Sequence, residues 1–232
     1  MHLWLFLRQE HLRVVDTTDG NGHGTHCAGS VAGQTYGVAK EANLIAVKVM
    51  SDKGSGSTSN IISGVNWVAG QAKATGKPSV ANLSIGGGYS QANNDAIAGL
   101  VAAGVTASVA AGNDNSDACN YSPASEPTAI TVAATDKTNA RAYYSNYGSC
   151  CDVFGPGSNI TSAWIGSPSA TNTISGTSMA SPHVCGVAAK FLSANPAATP
   201  ADITAQILAE ASVGEITDTQ GTPNLMVYGY CT

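Results

Sequence analysis

Charged side chains are scarce in this sequence. Lysine, arginine, aspartate and glutamate make up 11% of the 232 residues, and their balance is a net charge of -5. So few basic groups cannot neutralise a phosphate backbone, which argues against a nucleic-acid partner. With 43% apolar residues the chain does not have the composition of a disordered segment. Long apolar runs are also missing. The longest, Leu100 to Gly112, is interrupted by Gly104, Thr106 and Ser108 and falls short of the ~18 residues that cross a bilayer, so no membrane partner is expected. The six cysteines are Cys27, Cys119, Cys150, Cys151, Cys185 and Cys231, and none has the CxxC or Cys/His spacing of a zinc cluster.

What the chain does have is alternation. Asn43–Val49 reads as a buried strand, and Ser57–Thr75 has the apolar spacing of a helix that stops at Gly76. Val80–Ile85 is a second strand, Gln91–Ala103 a helix, Val105–Ala110 a third strand and Ile130–Ala134 a fourth. Thr177–Ala194 is a long apolar helix, and Pro200–Ala211 a shorter one with proline at its start. Strands alternating with helices predict an α/β domain whose mostly parallel sheet is covered on both faces. Functional groups in such sheets gather where strands end and helices begin. No internal repeat or linker interrupts the pattern, so one domain is read.

Three segments carry chemistry. Gly22-His23-Gly24-Thr25-His26-Cys27-Ala28-Gly29 places a histidine at the opening of a helix. Ser175-Gly176-Thr177-Ser178-Met179-Ala180-Ser181-Pro182-His183 places a serine at the opening of another. Ala110-Ala111-Gly112-Asn113 runs a strand into an amide side chain. A serine hydroxyl needs an adjacent base to become a nucleophile, and His23 can be that base. A free N–H at the helix start and the Asn113 amide can hold an oxyanion. His26 is read as packing, since no HExxH arrangement accompanies it to make a metal site with His23, and His183, beside Pro182, is read as structural. Three N-x-S/T sequons occur, at Asn82, Asn120 and Asn159, and Asn82 falls inside a strand.

These strings resemble the subtilisin-like serine peptidases, and most closely the proteinase K-like branch of fungal secreted enzymes. The likeness runs from about Asp19 to the C-terminus, which implies a domain of 19–232, incomplete at its N-terminus, behind a variable or non-native flank of 1–18. It takes in Tyr36-Gly37-Val38-Ala39, Ser84-Ile85-Gly86-Gly87-Gly88, Asn120 to Pro127, Tyr144-Ser145-Asn146-Tyr147-Gly148 and Phe154-Gly155-Pro156-Gly157. The resemblance implies a three-layer subtilisin-like domain and a monomer. It implies a secreted endopeptidase (vacuolar as the alternative) acting on proteins or peptides with broad specificity. His23 would be the base, Ser178 the nucleophile and Asn113 the oxyanion amide. Gly54-Ser55-Gly56 and Ser84-Ile85-Gly86 would flank an extended peptide by strand addition, and Ala110-Ala111-Gly112 would wall the primary pocket. No cofactor is implied for catalysis. A structural calcium is, with Asp152 as its carboxylate and the carbonyls of Pro127 and Ala129 beside it. Cys27 matches a buried thiol beneath the catalytic histidine, and Cys119 and Cys150 are expected to pair.

The resemblance breaks at the acid. The family's aspartate sits in a strand followed by Asp-Ser/Thr-Gly, a few dozen residues before the histidine. Here Val14-Val15-Asp16-Thr17-Thr18 lacks the glycine and lies too close, and Asp19 is nearer still. The chain is therefore expected to lack the triad aspartate and the first strand of the sheet. A triad without one member keeps only ~10³–10⁴-fold catalysis over water. The reading is a truncated endopeptidase. The alternative is an inactive homologue that at most binds peptides.

Overall fold

The computed structural model describes residues 2–6, as strand backbone, and residues 18–229. Asp16 and Cys231 lie outside the described residues. In chain order, β1 (His2–Phe6) precedes α1 (His23–Ala32), β2 (Leu44–Lys48), α2 (Thr58–Thr75) and β3 (Ser79–Leu83). The middle of the chain holds β4 (Gly87–Gly88), α3 (Gln91–Ala102), β5 (Val105–Ala110), β6 (Tyr121–Ser122) and β7 (Ile130–Thr135). Then follow β8 (Val153–Pro156), β9 (Ile160–Ala163), β10 (Thr171–Ile174), α4 (Thr177–Ala194), α5 (Pro200–Glu210), β11 (Ser212–Val213) and β12 (Leu225–Met226).

The main sheet has the order β11-β12-β8-β7-β5-β3-β1-β2, and its centre, β3-β5-β7-β8, is parallel. β9 and β10 form a separate hairpin. The pleat sorts side chains to two faces. Ala81 and Leu83 of β3 face Val65 and Val68 of α2 and Ile97 and Leu100 of α3. Val80, from the opposite face, packs with Val31 of α1, Val184 and Ala188 of α4, and Ile203 and Ile207 of α5. Helices thus cover both faces, as the alternating pattern predicts.

Local signals set the boundaries. The Ser57 side chain accepts from the Asn60 amide to start α2, and Gly76 ends it in the left-handed region. Thr199 and Asp202 form a capping box at α5. Two elements differ from the expectation. β2 was expected to be buried, yet Leu44 is exposed and the rest only partly covered. It lies at one edge of the sheet, so among the described residues one side has no neighbouring strand. The backbone of His2–Phe6, which the sequence reading takes as flank, lies between β3 and β2, second from the edge of the sheet where the first strand was expected to be missing, and it runs antiparallel to both.

Register prepares the site. Leu83 pairs with Val109 in the parallel β3–β5 ladder, so Ser84 and the Ala110–Asn113 segment leave the sheet side by side.

Candidate active site

α1 opens at His23, immediately after Gly22. Gly22 has φ 98, a conformation that side chains rarely adopt, and it has no side chain to cap the helix. Asp19 does that work from further upstream. Its carboxylate accepts from the backbone amides of Asn21 (3.0 Å), Gly22 (2.9 Å) and Thr25 (2.8 Å), and from the Thr25 hydroxyl (2.7 Å). Burial alone would raise the pKa of this carboxyl. The four donors outweigh burial and hold it well below the ordinary carboxylate range. The acid nearest to His23 in sequence thus anchors the helix that carries it.

One helical turn on from His23, the Cys27 sulfur lies 3.7 Å from His23 Nδ1. The same sulfur donates to the Ser178 carbonyl at 3.4 Å. Cys27 is fully buried, and burial pushes its thiol up to about 12, so it stays protonated. It packs between the His23 imidazole and the Ser178 backbone.

Ser178 sits in the first turn of α4. Its carbonyl would ordinarily accept from the amide four residues on, but that residue is Pro182, which has none. The Ser84 hydroxyl fills the vacancy at 2.7 Å, together with the Cys27 thiol. Ser84 is held in turn by the Asn82 amide at 3.0 Å, and Asn82 accepts from Ser181 of α4 at 2.8 Å. The Ser178 hydroxyl itself is 3.4 Å from the Ser84 carbonyl, a long contact that is easily given up.

Asn113 stands exposed beyond β5. Gly112 before it has φ 105, and a side chain there would meet Asn146 Nδ2 at 2.3 Å. Asn146 is fully buried and braces this loop. It donates to the Ala111 carbonyl at 3.0 Å and accepts from the amides of Asp114 (2.9 Å) and Ser116 (3.1 Å). The Asn113 Oδ1 accepts from the Thr177 amide at 2.8 Å and hydroxyl at 3.0 Å. An amide donor must meet an oxygen, so the orientation of Asn113 is fixed and Nδ2 is left for another partner.

His23, Ser178 and Asn113 thus converge, through Cys27 on one side and Thr177 on the other. The two edge segments meet at a cavity of about 180 Å³, lined by Gly56 from one, by Ile85 and Gly86 from the other, and floored by Met50, Ile61 and Leu83. Gly54 and Ser55 lie in the loop outside it. Ala110 and Ala111 are buried. Asp152 accepts from the Thr131 amide at 2.7 Å; Ala129 is buried and Pro127 exposed. His26 is fully buried and His183 partly buried, with His183 Nδ1 2.8 Å from the Met179 carbonyl, and desolvation lowers the pKa of both. Cys119 and Cys150 form a disulfide, as expected, while Cys27, Cys151 and Cys185 are buried free thiols. Asn82 is fully buried, whereas Asn120 and Asn159 are exposed. Among the described residues no helix is long and apolar enough to cross a membrane.

A mostly parallel α/β sheet that presents a serine at a helix start, a histidine on a second helix and an amide beyond a strand defines a serine-hydrolase type of domain. Residues 10–230 match the subtilase family of peptidases, and the chain belongs to that family. It is 55% identical over 211 residues to subtilisin-like protease 2 of Pseudogymnoascus destructans, covering 91% of this chain and 52% of the relative. It is 54% identical over 213 residues to alkaline serine exoprotease A of Vibrio alginolyticus, covering 92% of this chain and 39% of the relative. A crystal structure of a cold adapted subtilisin-like serine proteinase superposes with TM-score 0.89 at 49% identity, over 94% of this chain and 78% of that one. The chain spans about half the length of the curated relatives it matches.

Sequence reasoning did not single out Asp19, Asn146 or the Ser84 hydroxyl as supports of the site. One signal was present. Pro182 stands four residues after Ser178, which orphans a carbonyl and demands donors from elsewhere.

Proposed function

We propose that this domain is the catalytic unit of a secreted serine endopeptidase. The observation that carries the reading is the position of Cys27, whose sulfur touches both the His23 imidazole and the backbone of Ser178. In the proposed reaction the Ser178 hydroxyl attacks the scissile carbonyl carbon and passes its proton to His23. The new oxyanion takes hydrogen bonds from Asn113 Nδ2 and from the Ser178 amide, which has no intrahelical partner in the first turn. His23 then returns the proton to the leaving amine as the C–N bond breaks, and water hydrolyses the acyl-enzyme by the same route. The four donors on the Asp19 oxygens assign that carboxylate to the cap of α1.

The substrate would lie extended between Gly54-Ser55-Gly56 and Ser84-Ile85-Gly86, pairing through backbone groups. The cavity beneath Gly56 and Ile85 would take one apolar side chain, and Ala110-Ala111-Gly112 would wall the primary pocket.

A calcium ion is proposed at Asp152. Burial pushes this carboxyl up to about 6, as expected of an anion whose counter-charge is supplied by a cation. Among the described residues no three His, Cys, Asp or Glu side chains gather as ligands, so one carboxylate and the carbonyls of Pro127 and Ala129 would hold it. An all-oxygen set suits a hard cation.

The test of the activity is casein hydrolysis by the full-length protein and its block by phenylmethanesulfonyl fluoride. Sulfonylation confined to Ser178, and loss of hydrolysis in Ser178→Ala, are expected. A full-length protein that neither hydrolyses casein nor takes the label would be a peptide-binding homologue without catalysis.

A further inference from the structure

The β9–β10 hairpin touches both helices of the site, and the proposed reaction gives it no part. β10 leads through Ser175 and Gly176 directly into α4, so the hairpin delivers the nucleophile. β9 lies against α1. A methyl group added at Gly29 would sit 2.3 Å from Ser162 Oγ and 3.0 Å from the Ala163 amide nitrogen, so helix and strand meet without room for a side chain. The His26 ring, whose pKa burial lowers, has Nε2 3.0 Å from the Ile160 carbonyl and donates to it.

Trp164 follows β9. Its amide donates to the Ala170 carbonyl at 2.8 Å and closes the hairpin loop. Its indole lies on Gly22. A Cβ built there would fall 2.4 Å from Cε2 and 2.5 Å from Cζ2 of the ring. The ring also meets His26 edge-on, with centroids 6.1 Å apart and planes at 77°. The Gly22 carbonyl accepts the His26 amide at 2.9 Å, which makes Gly22 the first hydrogen-bonded residue of α1. The peptide on which the His23 imidazole hangs is therefore pressed between the Asp19 cap and the indole.

We propose that Trp164 is a positioning residue for His23. Its indole, seated on the Gly22 backbone and against His26, fixes the first turn of α1 relative to the hairpin that delivers Ser178. This rests on His23 as base and Ser178 as nucleophile. A glycine at residue 22 is needed twice over, for its φ and for the indole to approach. A loosened first turn would misplace the imidazole, and a displacement of about 1 Å at a reacting group can cost about 10²-fold in rate.

The experiment compares full-length wild type, Trp164→Ala and Trp164→Phe, with each rate divided by the folded fraction. The readouts are the rate of Ser178 sulfonylation by phenylmethanesulfonyl fluoride, its pH profile, and kcat and KM on a peptide amide. Trp164→Ala should lower the sulfonylation rate and kcat by about 10- to 100-fold and move KM by less than about twofold. It should also shift the acid limb of the pH profile, and Trp164→Phe should restore most of the rate. An alanine variant with wild-type kcat and pH profile per folded molecule overturns the inference, as does a loss that phenylalanine fails to restore. Wild type itself reads the underlying assignment. If it takes no label at Ser178, the base and nucleophile fall, and the positioning role falls with them.

Discussion

The Ser84 hydroxyl donates to the Ser178 carbonyl at 2.7 Å, and the Ser84 carbonyl is the 3.4 Å neighbour of the Ser178 hydroxyl. One residue at the end of β3 therefore addresses both oxygens of the proposed nucleophile. The need arises from Pro182, which removes the helical donor from that carbonyl. Ser84→Ala should leave the Ser178 carbonyl with the thiol of Cys27 alone and deprive Asn82 of an acceptor. The expected cost is about 1–3 kcal/mol of stability. The fall in kcat should exceed any change in KM. Denaturant unfolding and peptide kinetics on the same preparation check both, and an unchanged kcat would reduce Ser84 to packing.

Asn113 Oδ1 accepts from the Thr177 amide and hydroxyl, which leaves Nδ2 for the proposed oxyanion. Asn113→Ala should lower kcat with little effect on KM. The size should be that seen when such a donor is removed from subtilisin, a relative in this family: about 10²–10³-fold. Thr177→Val removes one of the two donors that orient the amide, and it should produce a smaller loss of the same kind. Equal falls in kcat and rises in KM would instead place Asn113 in substrate binding.

Much of this arrangement is legible in the sequence because it is local. The helix starts at His23 and Thr177, the strand Val105–Ala110 and the glycine before Asn113 each follow from residues within a few positions. The short strands β8 to β12 have too few residues to show a period, and they form by pairing with distant partners. Asn146 and Asp19 were unreadable as site supports for a related reason. Asn146 reaches the Asn113 loop from far along the chain, and an aspartate before a glycine reads as a turn until its oxygens are traced to Thr25. Trp164 is a further case, since nothing in its neighbours says that it will lie on Gly22.

Asp19 caps α1 without occupying the N-cap position. Asp19→Ala should cost about 1 kcal/mol, the usual loss for such a cap. In a domain of this size that is a fall of about 2–4 °C in Tm. The folded pKa is depressed, so the stabilisation is present above the unfolded value near 3.8 and is lost as pH falls below it. The Tm gap between wild type and Asp19→Ala should therefore be constant from neutral pH down to about 5 and close in more acid solution. A gap that stays open at low pH would mean that the carboxylate charge is not what stabilises the helix start.

Asp152 has the opposite sign. Burial raises its folded pKa from an ordinary value of 3.8 to about 6, so the folded domain holds the proton more tightly than the unfolded chain. Without a cation, its contribution to stability is fully present below about pH 4 and is lost as pH rises through about 6. Calcium binds the carboxylate form and should reverse this. Tm measured with a chelator should decline between pH 4 and pH 6 relative to Asp152→Asn, whose neutral amide has nothing to titrate. Tm measured with millimolar calcium should exceed the chelator value above pH 6 and converge with it near pH 4, where the proton competes with the metal. Asp152→Asn should show no calcium increment at any pH. A calcium increment that survives in Asp152→Asn would place the ion elsewhere in the domain, and no increment in wild type would remove the proposed site.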